Sequence, residues 1–386
     1  MIYSLAGTWD VQLEDGKTYP VILPGTLDES KIGYRDTVSG PWHPDLIVEP
    51  ENEIQSKEGL ITTRFTRNYT YEGIAIFIKR IFYFPPEGKR IFLEVERARH
   101  LRLLVDGKEI VPYVKPSIST PYVFEVTGLL TGNNEIKLLS DNSYPGMPHD
   151  DIVLSSAATD ETQTNWNGVL GYFRLRTEEQ VFLSSVRVYP RQETLCVQVE
   201  IDGAIEYAGQ LMIKSEALKQ DASKEISLSA GRSQISFPLL SCKQDIRRWD
   251  EYEGNLYDLT AELTGGQKKT VCFGIHDFES DRTGHLSVNG RAIFLRSEAN
   301  CAVFPETGYP PMESEKWLVI LERFKSYGVN CVRFHSHCPP EAAFTAADQL
   351  GIMLQPELSH WNPRNALDST ESYEYYKREL KQILLF

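Results

Sequence analysis

The sequence predicts a multidomain, mainly β chain that turns to alternating β and α in its last third. Three observations carry this. Short apolar or alternating runs recur between turn signals from residue 1 to about 275. Helical 3–4 repeats stand out only after His276. There they alternate with short apolar runs, and strands joined by helices are parallel strands.

Residues 1 to about 190 supply the first set of strands. Candidate strands are 61–65, 74–78, 90–95 and 101–105, and 135–139 follows the turn Thr131-Gly132-Asn133-Asn134. Asp106-Gly107 between two apolar runs is a hairpin signal. Many short strands at this spacing predict a sandwich or jelly roll. The stretch 155–167 is polar and irregular, and N-W-N-G-V-L-G follows from Asn165. Two readings stand there. Trp166 plugs a loop feeding the strand 171–175, or Asn165, Trp166 and Asn167 lie near a sugar.

Residues from about 191 to 275 form a second β module. The strands 194–201, 234–239 and 269–275 fit an immunoglobulin-like sandwich. Trp249 is a core or interface ring, and nothing in the module looks catalytic.

Beyond His276, Asn289-Gly290 marks a hairpin and 292–296 an apolar strand. Ser314 is placed to cap a helix carrying Trp317, Leu318, Leu321, Phe324 and Tyr327 on one stripe, with Gly328 as its stop. The stretch 328–357 then reads strand, loop, helix, strand. Val329, Cys331, Arg333, His335 and His337 alternate with Asn330, Val332, Phe334 and Ser336. One strand face therefore carries Arg and two His, and the other carries Val and Phe. Pro340 opens an Ala-rich helix that Gly351 ends, and the run from Ile352 finishes on Glu357. Polar groups at the C-terminal ends of successive strands are where an α/β unit puts its site. Asp368 with Glu371 caps a third helix, with Tyr373, Tyr376, Leu380 and Ile383 on one face.

Bulk properties exclude several classes. The 386 residues suffice for two or three domains. The net charge of −14 comes with no Lys/Arg cluster, and no Gly-rich phosphate loop follows a strand. A nucleic-acid partner and a nucleotide fold are disfavoured. No run of 18 apolar residues exists, so no membrane span is expected. The 6 cysteines are scattered without a C-x-x-C pair and suit buried free thiols. Met1 leads straight into a strand with no leader pattern. A leader already removed would leave the same sequence, so the compartment, bacterial periplasm or cytoplasm, stays open.

Several motifs together resemble glycoside hydrolase family 2, the β-galactosidase and β-glucuronidase family. They are L-A-G-T-W-D-V and L-P-G-T-L-D near the N-terminus, P-Y-V-F-E-V-T-G-L-L-T-G-N-N-E-I, and N-W-N-G-V-L-G. V-N-G-R-A-I-F-L-R, F-P-E-T-G-Y-P-P and N-C-V-R-F-H-S-H-C-P-P-E-A-A-F-T-A-A-D-Q-L-G-I complete the set. Asn330, Arg333, Asp348 and Gly351 match fixed points of the family signature. The resemblance implies a jelly-roll sugar-binding-like domain (1–190), an immunoglobulin-like β-sandwich (191–276) and the first three β/α units of a (β/α)8 TIM barrel (277–386). Two departures stand out. Ser336 lies where many members have His, and Arg296-Ser297-Glu298 replaces the usual Arg-Gly.

The resemblance implies retaining hydrolysis of an O-glycosidic bond by two carboxylates about 5–5.5 Å apart. The family's acid/base is the Glu of an Asn-Glu pair after the fourth barrel strand, and its nucleophile follows. Neither position falls within these residues, so the chain alone is expected to be inactive and to have no catalytic residue of its own. Asn52-Glu53 and Asn134-Glu135 lie in the β region and are rejected. A partial substrate platform remains: Arg333, which can orient a carboxylate, and His335, His337 and Glu357 for sugar hydroxyls. Trp361 is a stacking ring, and Asn165 and Trp166 are candidates from the first domain. The expected partner is an oligosaccharide or glycoside. Homo-oligomerisation is plausible from the open sheet edge. No cofactor is read from the sequence, although a divalent cation occurs in the family. His335-x-His337-Cys338 lacks further zinc ligands at suitable spacing. The alternative class is a non-catalytic carbohydrate-binding protein with a vestigial barrel stub.

Overall fold

The computed structural model describes residues 1–35, 69–159, 164–304, 306–361 and 369–385. The expected strand 61–65, the Asn52-Glu53 pair and Asp368 lie outside the described residues.

The first module is an antiparallel two-sheet sandwich of the jelly-roll class. One sheet runs Ile2–Ser4, Gly168–Glu178, Arg90–Ala98 and Tyr122–Glu125, with Gly25–Thr26 also on Gly168–Glu178. The other runs Lys108–Ile110, His100–Val105, Asn134–Asp141, Ile74–Ile81, Gly7–Gln12 and Thr18–Leu23. Alternation decides what fills the space between them. Trp9, Phe77, Leu93, Val95, Leu103, Leu138 and Leu175 point inward and are buried together. Asp106 and Gly107 both have positive φ, 47° and 81°, and close the tight hairpin between Val105 and Lys108.

Arg90–Ala98 is buried along its whole length. Its inner face meets the sandwich core, and its outer face meets the second module. Arg90 Nη1 donates to Asp202 at 2.6 Å, and the Phe92 and Phe182 rings stand 5.5 Å apart. The outward Arg90 and Phe92 thus become an interface rather than a wet surface, while Glu94 takes Arg174 and Arg176 of its own sheet.

The second module pairs a three-stranded sheet (Val181–Arg191, Thr194–Gly203, Gly231–Ser241) with a four-stranded one (Ala222–Leu228, Tyr207–Ser215, Leu256–Leu263, Lys268–Gly274). Seven antiparallel strands in two sheets around Val197, Val199, Ile213, Leu259 and Phe273 form the immunoglobulin-like sandwich. Val181–Arg191 hydrogen-bonds along Thr194–Gly203 and so belongs to the three-stranded sheet of this second module.

A small antiparallel meander follows: Phe278–Ser280, Leu286–Val288 and Arg291–Ile293. The apolar run 292–296, read from the sequence as a strand, is not the first parallel strand. Its start instead pairs back across the Asn289-Gly290 turn, and the first parallel strand is Ser297–Asn300. Cys331–Phe334 and Met353–Pro356 add in parallel, in that order.

The helix Ser314–Ser326 starts with Ser314 inside its first turn, because Glu313 takes the cap position without a side-chain bond. Trp317 and Leu321 bury against Val332, Phe334 and the alanines of the helix Glu341–Leu350. Val332 and Phe334 therefore face the helices, as their parity requires. Gly328 and Gly351 have positive φ and end their helices.

The last helix, Thr370–Ile383, is capped by Ser369, whose hydroxyl accepts from the Ser372 amide. Its buried stripe is Tyr375, Tyr376 and Glu379, while Tyr373 and Leu380 are exposed. The expected face of Tyr373, Tyr376, Leu380 and Ile383 is thus corrected by a rotation of the stripe. The reason is polar docking on the first sandwich. The Ile118 amide donates to Tyr375 Oη at 3.2 Å, and Ser119 Oγ donates to Glu379 at 2.7 Å.

The second sandwich meets the β/α region in part through main chain, and Arg291 of the meander grips its Glu251 at 2.9 and 2.6 Å. Trp249 Nε1 donates to the Asp348 carbonyl at 2.7 Å, which makes Trp249 an interface ring. A Cβ on Gly351 would run into the Asp250 carbonyl, and one on Gly254 into the Gln349 carbonyl.

Candidate functional site

Two adjacent parallel strands deliver Arg333 and Glu357 to one place. Arg333 pairs in register with Gln355, so Glu357 emerges just past the end of its strand. Arg333 Nε donates to Glu357 Oε1 at 2.6 Å, and the Ser336 amide donates to Oε2 at 2.8 Å. Each carboxylate oxygen is thereby held by a separate donor. The arginine remains 42% exposed and the glutamate 24%, so the pair opens to solvent.

Ser336 makes this possible through an unusual backbone. Its φ is +50°, in the left-handed region that costs a residue with a Cβ about 1–2 kcal/mol. The first sandwich holds it there. The Ser156 amide donates to Ser336 Oγ at 2.8 Å, and Ser156 Oγ lies 3.3 Å from His335 Nδ1. Ala302, just after the first parallel strand, also has positive φ, 56°. Such conformations cluster at functional sites.

His335 and Trp361 form the open aromatic wall. Their ring centroids are 5.0 Å apart at 59°, and Trp361 is half exposed. The Trp361 amide donates to the Asp151 carbonyl at 3.1 Å, which ties this wall to the first sandwich.

His337 departs from the parity reading that put it on one face with Arg333 and His335. The strand ends at Phe334 and the turn at Ser336 breaks the alternation. His337 is consequently buried, edge-on to Phe334 at 5.4 Å, with Nδ1 3.0 Å from the His335 carbonyl oxygen. Burial pushes its pKa down to about 4. The two imidazoles thus go to different neighbours. Among the described residues no group of three or more His, Cys, Asp and Glu is disposed to hold a metal ion.

Asn165 and Trp166 are also interior. Asn165 accepts from Tyr144 Oη at 2.7 Å and donates to the Asn142 carbonyl at 3.0 Å. Trp166 lies under the Arg99 guanidinium, 3.9 Å from its ring centroid. Asn167 Nδ2 donates to the Gly73 carbonyl at 2.9 Å. The structure brings Arg333, Glu357, His335 and Trp361 together at the open end, and leaves His337, Asn165 and Trp166 behind it. Ser156, which braces the site through Ser336, is a position that sequence reasoning missed, whereas Ser336 stood out only as a departure from the family pattern. The irregular stretch 155–167 was the one signal pointing near Ser156.

No family model matches the sequence. Among characterised proteins, the chain is 24% identical over 236 residues to an exo-β-D-glucosaminidase of Amycolatopsis orientalis, covering 55% of this chain and 22% of that protein. A crystal structure of a putative β-galactosidase from Bacteroides fragilis matches all of this chain with a TM-score of 0.76 at 16% identity, over 56% of its own length. The fold is that of the glycoside hydrolases of family 2. A family 2 member from Bacteroides cellulosilyticus covers 92% of this chain and 47% of its own, with a TM-score of 0.65 at 15% identity. The β-D-mannosidase of Dictyoglomus thermophilum matches the whole chain over 51% of its own length, with a TM-score of 0.70 at 18% identity. This chain therefore spans about half the length of the family 2 structures it matches.

Proposed function

We propose that this chain forms the N-terminal, sugar-facing part of a retaining glycoside hydrolase acting on O-glycosidic bonds. The carrying observation is the Arg333–Glu357 pair, open to solvent at the ends of two adjacent parallel strands and walled by His335 and Trp361. A half-exposed guanidinium and carboxylate offer donors and acceptors to sugar hydroxyls. The exposed Trp361 ring offers a face to the C–H side of a pyranose. Both oxygens of Glu357 are engaged by Arg333 and Ser336, which suits an orienting group more than a nucleophile. In this reading the acid/base and the nucleophile come from residues outside these 386, and this chain alone does not hydrolyse a glycoside.

The relatives carry names for different sugars, so the binding test spans neutral, amino and uronic glycosides. Calorimetric titration of the 386-residue chain with β-linked glycosides of galactose, mannose, glucosamine and glucuronic acid identifies the class. Millimolar binding by at least one of them, weakened about tenfold or more by Arg333→Met, is the expected result. Saccharide binding that ignores Arg333→Met removes the reading. Release of aglycone by the chain itself overturns the assignment of the chemistry to other residues.

A further inference from the structure

The strand Met353–Pro356 ends before the candidate site, so Glu357 and Trp361 are carried by a stretch outside the sheet. A binding group on such a stretch is precise only where further contacts lock the chain behind it. At one end the Glu357 amide donates to the His337 carbonyl at 3.1 Å, and at the other the Trp361 amide is held by Asp151. Ser359 lies between them and is fully buried.

Every polar group of Ser359 is taken by the last helix. Its amide donates to Glu379 Oε2 at 3.0 Å, and its hydroxyl lies 2.9 Å from each Glu379 oxygen. Its carbonyl accepts from Tyr376 Oη at 2.9 Å, and the neighbouring His360 ring stands edge-on to Tyr376 at 5.0 Å. Glu379 is fully buried as well, and its Oε1 also accepts from Ser119 Oγ of the first sandwich at 2.7 Å.

Docking of this helix does not by itself call for a carboxyl. Tyr375 and Tyr376 already bury with Ile118, Tyr144, Ile152 and Ala157. An apolar residue at 379 would avoid the penalty of taking a carboxyl out of water. What it could not do is fix direction. A carboxyl that accepts from Ser119 and from Ser359 ties sandwich, helix and loop in one register.

We propose that Glu379 is a positioning residue for the sugar-facing wall: through Ser359 it holds the backbone two residues before Trp361 and so sets where the indole stands against His335. Tyr376 completes the clamp from the same helix face. Glu379 acts through Ser359 and not on a substrate. Its effect on sugar affinity rests on the function proposed above, whereas the placement of the ring does not.

The test uses the full chain labelled with 5-fluorotryptophan, the Trp361 resonance being assigned from its loss in Trp361→Phe. Glu379→Met keeps the reach of the side chain and removes both acceptors. It is expected to shift or broaden the Trp361 fluorine resonance while those of the other tryptophans stay. Glu379→Gln keeps a carbonyl oxygen for the Ser359 amide and is expected to restore the wild-type position. A Trp361 resonance that Glu379→Met leaves unmoved overturns the proposal, and so does one that Glu379→Gln displaces equally. Movement of all the tryptophan resonances together overturns it too, because a carboxyl needed only for folding gives that result. Should Glu379→Met fail to fold, Ser359→Ala and Tyr376→Phe, which remove the hydroxyl bonds of the clamp, are read by the same criterion. Calorimetry with the β-linked glycosides of galactose, mannose, glucosamine and glucuronic acid reads the consequence. Binding about tenfold weaker in Glu379→Met and within about twofold of wild type in Glu379→Gln is expected. Unchanged affinity with a displaced ring overturns the link from Glu379 to sugar binding. If no glycoside binds the wild-type chain, the function proposed above falls and the fluorine spectrum still decides for Glu379.

Discussion

Replacing Ser336 by alanine and, separately, by glycine resolves two energies stored at one residue. The hydroxyl accepts from the Ser156 amide at 2.8 Å, and both serines are almost fully buried. Ser336→Ala removes that buried bond, at a cost of about 1–3 kcal/mol. It also keeps a Cβ at φ +50° and so retains the left-handed strain. Ser336→Gly loses the same hydroxyl but relieves about 1–2 kcal/mol of strain. Glycine's freer unfolded chain takes back roughly 0.5–1 kcal/mol of that. The alanine variant is therefore expected to lose about 2 kcal/mol and the glycine variant about 1 kcal/mol. Urea unfolding followed by far-UV circular dichroism, with native-state hydrogen exchange at the Ser156 amide, reads the difference at constant m-value. A glycine variant less stable than the alanine variant would show that Ser336 is not strained, and that the clamp from the first sandwich holds nothing in place.

Three other outcomes follow from the geometry. Leu321→Ala opens a void between the first two helices of the β/α region and is expected to cost about 2–5 kcal/mol in the same unfolding assay, whereas a change under 1 kcal/mol would mean that this small core collapses freely. Arg333→Met removes a half-exposed pair and is expected to change stability by less than about 1 kcal/mol, so that a loss of sugar binding cannot be ascribed to unfolding. Burial raises the pKa of the Glu379 carboxyl above its ordinary 4.5, against the pull of its bonds from Ser119 and Ser359. A raised carboxyl gives stability that is complete below about 4.5 and is lost as pH climbs through the folded value. Glu379→Gln is expected to flatten that decline in midpoints measured across pH, and an unchanged slope would place the titration elsewhere.

Much of this molecule could be read before any coordinates. Alternation exposed strands of both sandwiches, and Asp106-Gly107 in the first sandwich and Asn289-Gly290 in the meander marked turns because few other residue pairs accept positive φ twice running. The parity of Val332 and Phe334 against Arg333 foretold which side faces the helices. Three features were not legible. The run 292–296 reads as an apolar strand, but its composition says nothing about its partner, and pairing is a long-range choice. The stripe on Thr370–Ile383 was misplaced because apolar periodicity was followed where hydrogen bonds through Tyr375 and Glu379 set the docking. His337 was put beside His335 because period-2 reasoning assumes that the strand continues. It fails at the first left-handed residue, and nothing in a serine announces one.

Part of the seam between the second sandwich and the β/α region is main chain against glycine. Gly351 lies against the Asp250 carbonyl, Gly254 against that of Gln349, and Trp249 reaches the Asp348 carbonyl. At these two glycines the joint recognises backbone shape. Neighbouring positions can drift while the two glycines stay pinned. A fold shared at 14 to 18% identity is what such a joint permits. A sandwich exchanged from a distant relative should seat here if its loop follows the same path, and should be refused if the residue in place of Gly254 carries a Cβ.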